Sequence, residues 1–147
     1  MDAPKRLVLD TDIGTDVDDC LALALILASP ELRLEGVTCV YGDVGLRARM
    51  ARRLLALAGR PEVPVFEGER APLLGLRPVY WEGHEGEGLL GDDDPPLASA
   101  GRHGVDFLIE TALAAPGAIH LLAIGPLTNV ALALRREPRL AGALAGL

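Results

Sequence analysis

The run DDCLALALILA, residues 18–28, constrains the fold more than any other stretch: it has the length of a helix and almost no polar face. A helix of that kind is covered on both sides when the chain folds. The strand-like segment 6–10 stands in front of it, and a second, 32–41, follows once Ser29-Pro30 has stopped it. Residues 44–58 read as an amphipathic helix closed by Gly59 and Pro61. Leu46, Met50, Leu54 and Leu57 form its inner face, and Arg47, Arg49, Arg52 and Arg53 a solvated one. Segment 63–66 is a third strand, 104–114 a helix that His103 borders or caps, and 119–124 a fourth strand. Residues 128–136 form a helix with Thr128 as its simplest N-cap. Strands alternating with helices predict an α/β fold, a mostly parallel sheet with helices on both faces in a Rossmann-like layout.

Residues 68–101 break that rhythm: Gly, Pro and acidic residues dominate, and no periodicity lasts more than a turn. A loop of such length inside a domain is functional or mobile. In parallel sheets ligands sit beyond the carboxyl ends of the strands. Three such ends carry polar residues here: Asp10-Thr11-Asp12, Gly42-Asp43, and Ile124-Gly125-Pro126-Leu127-Thr128-Asn129. They are expected to meet in one crevice.

The 147 residues suit one domain, and the formal charge of −7 argues against nucleic acid or an anionic membrane as partner, since both need a basic face. No apolar run reaches the roughly 18 residues that span a bilayer. Lys5 and Arg6 lead straight into a strand rather than a signal segment, so a cytoplasmic protein is expected. Cys20 and Cys39, in separate apolar elements, read as free buried thiols. His120 reads as a structural residue of its strand.

Between the first strand and the apolar helix lies DTDIGTDVDD, five carboxylates in ten residues: Asp10, Asp12, Asp16, Asp18 and Asp19. Crowded carboxylates repel one another unless a positive charge lies between them. Calcium accepts six to eight oxygens in flexible geometry, and Asp12 and Asp19 could reach one ion from two sides while Gly14 folds the connection tightly. Asp16 and Asp18 lie at or near the helix N-terminus, where the helix dipole also favours negative charge and Asp16 would serve as a cap. The spacing is not that of an EF-hand. A D-x-D pair after a first strand also resembles the haloacid-dehalogenase phosphatases, with Asp10 as nucleophile and Asp12 as acid, although Gly14 departs from that motif.

D-x-D-x-G, a D-D pair opening an apolar helix, V-Y-G-D after the second strand and G-P-L-T-N after the fourth, in that order, resemble the inosine-uridine preferring nucleoside hydrolase family. The resemblance implies hydrolysis of the N-glycosidic bond of ribonucleosides by a calcium-bound water. It implies Asp12, Asp19 and the backbone carbonyl of Ile124 as calcium ligands, with Asp12 also taking the proton of that water. Asp18, Asp19 and Asp43 would hold the ribose, whose oxocarbenium-like transition state gains from nearby negative charge. Asp10 would sit behind the ligands and orient the loop. His84, in WEGHEGEGL, would protonate or contact the leaving base from a mobile loop.

Three departures stand out. Two extra residues separate Gly14 from Asp18, Asp43 replaces a common Asn, and Glu85 occupies a place usually held by Gly. By the resemblance the 147 residues are the N-terminal part of one domain. The remainder would carry another calcium-binding Asp and more ribose-gripping residues, and the last residues here would lie within a helix. Such a portion would leave an open sheet edge and an uncovered apolar face. Weak or no activity, and a homo-oligomer or a partner chain, are therefore expected. A non-catalytic remnant that keeps calcium or ribose affinity is the third reading.

Overall fold

The computed structural model describes residues 3–91 and 101–147. Five parallel strands form one sheet in the order β3-β2-β1-β4-β5. They are β1 (Lys5–Thr11), β2 (Leu32–Cys39), β3 (Val65–Glu67), β4 (Ile119–Ala123) and β5 (Leu144–Gly146). The helices are α1 (Asp18–Ala28), α2 (Val44–Leu57), α3 (Gly104–Ala114), α4 (Thr128–Arg136) and α5 (Leu140–Ala143). Every strand and helix expected from the sequence is present, so the α/β reading holds. Within the loop expected over 68–101, residues 92–100 lie outside the described residues.

Alternation along β1 explains the two layers. Leu7 and Leu9 enter a core built with Leu23 and Ile26 of α1 and Ala48, Ala51 and Leu55 of α2. Val8, facing the other way, joins Val105 and Leu108 of α3, Val130 and Ala133 of α4, and Leu140 of α5. Phe66 and Phe107 stack with ring centroids 4.1 Å apart in this second layer. The strand order reverses between β1 and β4, and that switch point opens a crevice at their carboxyl ends.

Four local expectations are corrected. The inner stripe of α2 runs through Val44, Arg47, Ala48, Ala51 and Leu55 with Met50 beside it, while Leu57 is 65% exposed. Arg47, expected on the solvated face, is fully buried because backbone carbonyls wait for it there. The helix α1 is not covered on both sides: Val17 just before it and Leu21 and Leu25 on it face outward. Residues 144–146 are strand rather than helix. Pro138 cannot continue α4 as helix, and the open edge of β4 then captures the chain, pairing Ile119 with Leu144 and His120 with Gly146.

Candidate active site

The same alternation in β1 aims the acids. Thr11, on the side of Leu7 and Leu9, turns towards α1 and donates its hydroxyl to Asp19 Oδ1, while accepting the Ile13 N–H at 3.1 Å. Asp10, on the side of Val8, turns towards α4. Its Oδ1 accepts Thr38 Oγ1 at 2.5 Å and Asn129 Nδ2 at 2.7 Å. Its Oδ2 is buried with no partner among the described residues. Burial pushes the Asp10 carboxyl up to about 6, Asn129 and Thr38 opposing and the charge of Asp12 adding. Fully buried and gripped from two sides, Asp10 offers no line of attack on a phosphate. It stands behind the crevice rather than in it.

Asp12 is half-buried where β1 and β4 end together. A Cβ on Gly125 would lie 2.9 Å from both Asp12 N and Asp12 Oδ1 and 2.8 Å from Val40, so only glycine lets the two strand ends approach. Ile124, the residue before it, donates its N–H to the Asp10 carbonyl at 2.9 Å. Burial raises the Asp12 carboxyl, the Arg47 cation opposes, and the charge of Asp18 adds. Asp19, buried on the first turn of α1, is pushed up to about 6 by burial, against the Thr11 hydroxyl and with the charges of Asp12, Asp18 and Asp16. Asp16 and Asp18 are exposed and bonded to each other. That contact raises the Asp16 carboxyl and lowers that of Asp18. Asp16 does not cap the helix: the residue before its first turn is Val17, with no side-chain cap bond.

These acids fit a cation. Asp16, Asp18 and Asp19 bring one oxygen each within 4.8 Å of one another, and Asp19 also feels the charge of Asp12. Burial and mutual repulsion both oppose ionisation of Asp19, and a divalent ion would relieve the two at once. The donors are all oxygen, which suits a hard ion such as calcium. Asp12 is not one of the three residues in that tight group.

Asp43 lies at the rim and caps α2, its Oδ1 accepting Leu46 N–H at 3.0 Å and Arg70 Nη2 at 3.3 Å. His84 arrives from the 79–91 loop with Nε2 donating to the Thr15 carbonyl at 3.0 Å, and Nδ1 3.4 Å from Glu82. It lines a cavity of about 340 Å³ with Ile13, Thr15, Asp16 and Met50. His84 thus meets the aspartate loop at Thr15, in a cavity lined by Asp16 but not by Asp12, Asp18 or Asp19, and Asp43 stands on the turn before α2.

Sequence reasoning missed three contributors. Arg47 donates to the carbonyls of Asp12, Ile13 and Tyr41. Asn129 and Thr38 hold Asp10, and Asn129 also donates to the Cys39 carbonyl at 3.2 Å and accepts Glu69 N–H at 2.8 Å. The only signal for Asn129 was its place in GPLTN. Thr128, expected to cap α4, is its first helical residue, and its N–H donates to the Pro126 carbonyl at 2.8 Å instead. His103 caps α3 as anticipated, accepting Val105 N–H at 3.2 Å.

Residues 7–147 match the family model described as inosine-uridine preferring nucleoside hydrolase. Uridine nucleosidase 1 of Arabidopsis thaliana is 38% identical over 138 residues, 90% of this chain and 40% of that protein. The inosine-uridine preferring nucleoside hydrolase of Leishmania major is 35% identical over 145 residues, 93% of this chain and 45% of that protein. Among solved structures, the purine-preferring ribonucleoside hydrolase from Gardnerella vaginalis superposes with a TM-score of 0.81 at 31% identity, covering 95% of this chain and 46% of that one. The chain spans less than half the length of each of these relatives.

Proposed function

The chain belongs to the inosine-uridine preferring nucleoside hydrolase family, and from that premise we propose that its site serves hydrolysis of the N-glycosidic bond of ribonucleosides to free base and ribose. The observation that carries this reading is that Asp12, half-buried beside Gly125 at the switch point between β1 and β4, lies near enough to Asp18 and Asp19 at the start of α1 for their charges to be felt.

Asp12, Asp19 and the Ile124 carbonyl would hold a calcium ion, which when bound supplies Lewis-acid activation of water and an anchor for sugar hydroxyls. Asp12 takes the proton from the attacking water as general base. The water oxygen bonds to the anomeric carbon as the carbon–nitrogen bond breaks and leaves its electron pair on the base. Asp18, with Asp19 and Asp43, accepts hydrogen bonds from ribose hydroxyls, and their negative charge favours the cationic sugar. His84 delivers a proton to the departing base. Asp43 accepts but cannot donate while ionised, so it grips a hydroxyl through that hydroxyl's own proton. The outward-facing Val17, Leu21 and Leu25 support self-association of the chain.

The test is ribose release from inosine, uridine, cytidine and adenosine, with excess calcium and again after chelation. Chelator-sensitive release, weak for these residues alone and absent in Asp12→Ala, is the expected result. Release that persists in Asp12→Ala overturns the assignment, and no release in calcium overturns hydrolysis by these 147 residues alone.

A further inference from the structure

Among the described residues Arg47 is the only fully buried basic side chain, and no carboxylate oxygen is among its hydrogen-bond partners. Its Nε donates to the Tyr41 carbonyl at 2.7 Å, its Nη1 to the carbonyls of Ile13 (2.9 Å) and Asp12, and its Nη2 to Thr15 Oγ1 at 3.2 Å. A buried cation is costly unless its donors are all met. Here four of its five N–H donors are met, by three backbone carbonyls and one hydroxyl from two separate segments of the site.

The third segment arrives on the face of the guanidinium. Trp81 lies with its ring centroid 5.0 Å from Arg47 Cζ, and a Cβ on Gly42 would come within 2.8 and 2.9 Å of the same indole. Trp81 is therefore seated between the cation and a backbone that only glycine leaves open. Thr15 fastens the rest of the loop: its hydroxyl, while accepting from Arg47, donates to Glu85 Oε1 at 3.3 Å, and its carbonyl accepts from His84. Glu85 is buried and takes the N–H groups of Glu82 (3.1 Å) and Gly83 (2.7 Å), the two residues that join Trp81 to His84. Tyr41 holds φ 69°, a left-handed conformation uncommon outside glycine, and its carbonyl is the one that Arg47 Nε grips.

We propose that Arg47 is a positioning residue: its guanidinium fork fixes the Asp12–Thr15 loop, the Tyr41–Asp43 turn and the His84-bearing loop in one arrangement, with Thr15 and Glu85 relaying the hold to His84. That this arrangement serves nucleoside hydrolysis rests on the function proposed above; the arrangement itself does not. Lysine cannot substitute, because a single ammonium cannot reach four oxygens and present a flat face to an indole.

Trp81 is the sole tryptophan of the chain, so its emission and its quenching by acrylamide report loop docking with no substrate present. Arg47→Lys is expected to red-shift the emission and lose the protection from acrylamide. Thr15→Val, which removes the relay hydroxyl from a partly exposed site, is expected to lose part of that protection. Leu55→Ala, a core cavity in the same helix, is the control for mere destabilisation and leaves the Trp81 signal unchanged in the folded protein. A folded Arg47→Lys with wild-type emission and quenching overturns the proposal. If Arg47→Lys does not fold, Thr15→Val decides: wild-type quenching overturns the proposal and increased quenching supports it. Absent ribose release alongside a docked Trp81 would overturn hydrolysis by these 147 residues alone and leave the role of Arg47 standing.

Discussion

Asn129 Nδ2 meets Asp10 Oδ1 at 2.7 Å, joining the carboxyl end of β1 to the first turn of α4 across nearly the whole chain. The same side chain also serves the Cys39 carbonyl and the Glu69 N–H, so one amide ties three segments together. Asn129→Leu removes all three bonds and strands the Glu69 N–H. A loss of about 3 kcal/mol is expected, read as a lower urea midpoint at unchanged slope. Asn129→Asp is expected to be at least as damaging at neutral pH, since it sets a second carboxylate against Asp10.

Stability should depend on pH in an unusual direction. The folded Asp10 carboxyl sits at about 6 because of burial, whereas the unfolded chain releases that proton near the ordinary carboxylate value of about 4. Between those values the folded state binds more protons than the unfolded one, so stability present below the lower value is lost as pH rises through the upper. The loss for Asp10 is on the order of 3 kcal/mol in protein kept free of metal, and Asp19 acts in the same window. Urea unfolding in chelator at both ends of the window checks it, and Asp10→Asn should flatten the profile.

By the proposed function calcium should raise the melting temperature, since it would bind the folded arrangement of carboxylates and not the dispersed one. At a concentration a hundredfold above the dissociation constant the gain is about 2.7 kcal/mol. Asp19→Asn is expected to abolish most of this shift, and Asp43→Asn to leave it largely intact. Equal calcium responses in the two variants would remove Asp19 from the ligand set.

Light scattering of the wild-type chain should give a mass above that of one protomer. Val17, Leu21 and Leu25 are 64%, 62% and 68% exposed along one side of α1, an apolar surface with no charged residue between Cys20 and Ala28. Leu21→Glu combined with Leu25→Glu should return the mass to a single chain without loss of helix content. A compact wild-type monomer would overturn the expectation.

The elements that were legible in the sequence are those fixed by local pattern. The apolar run of α1, the Pro and Gly that follow α1 to α4, and the acids crowded after β1 can all be read from neighbouring residues. Arg47 could not be read this way. Its spacing within α2 is that of a surface arginine, and its partners are carbonyls of residues 12, 13 and 41, which leave no trace in side-chain pattern. Asn129 was similarly opaque, because what gives it meaning lies on β1 and β2. The alanines and leucines of residues 140–147 carry helical propensity, yet the open edge of β4 outweighs it at Leu144–Gly146. Glu85 read as a departure from pattern; in the structure it is the acceptor that shapes the loop around His84.

The strand order has a consequence for the chain while it is being made. β1 is central, paired with β2 on one side and with β4 on the other, where Arg6 meets Ile119. During synthesis one edge of β1 stays open until residues 119–123 have left the ribosome. Asp12 acquires its neighbour Gly125, and Asp10 its partner Asn129, only in that last stage. A nascent chain shorter than this holds the acids without the walls that organise them, and its exposed strand is the segment a chaperone has most reason to cover.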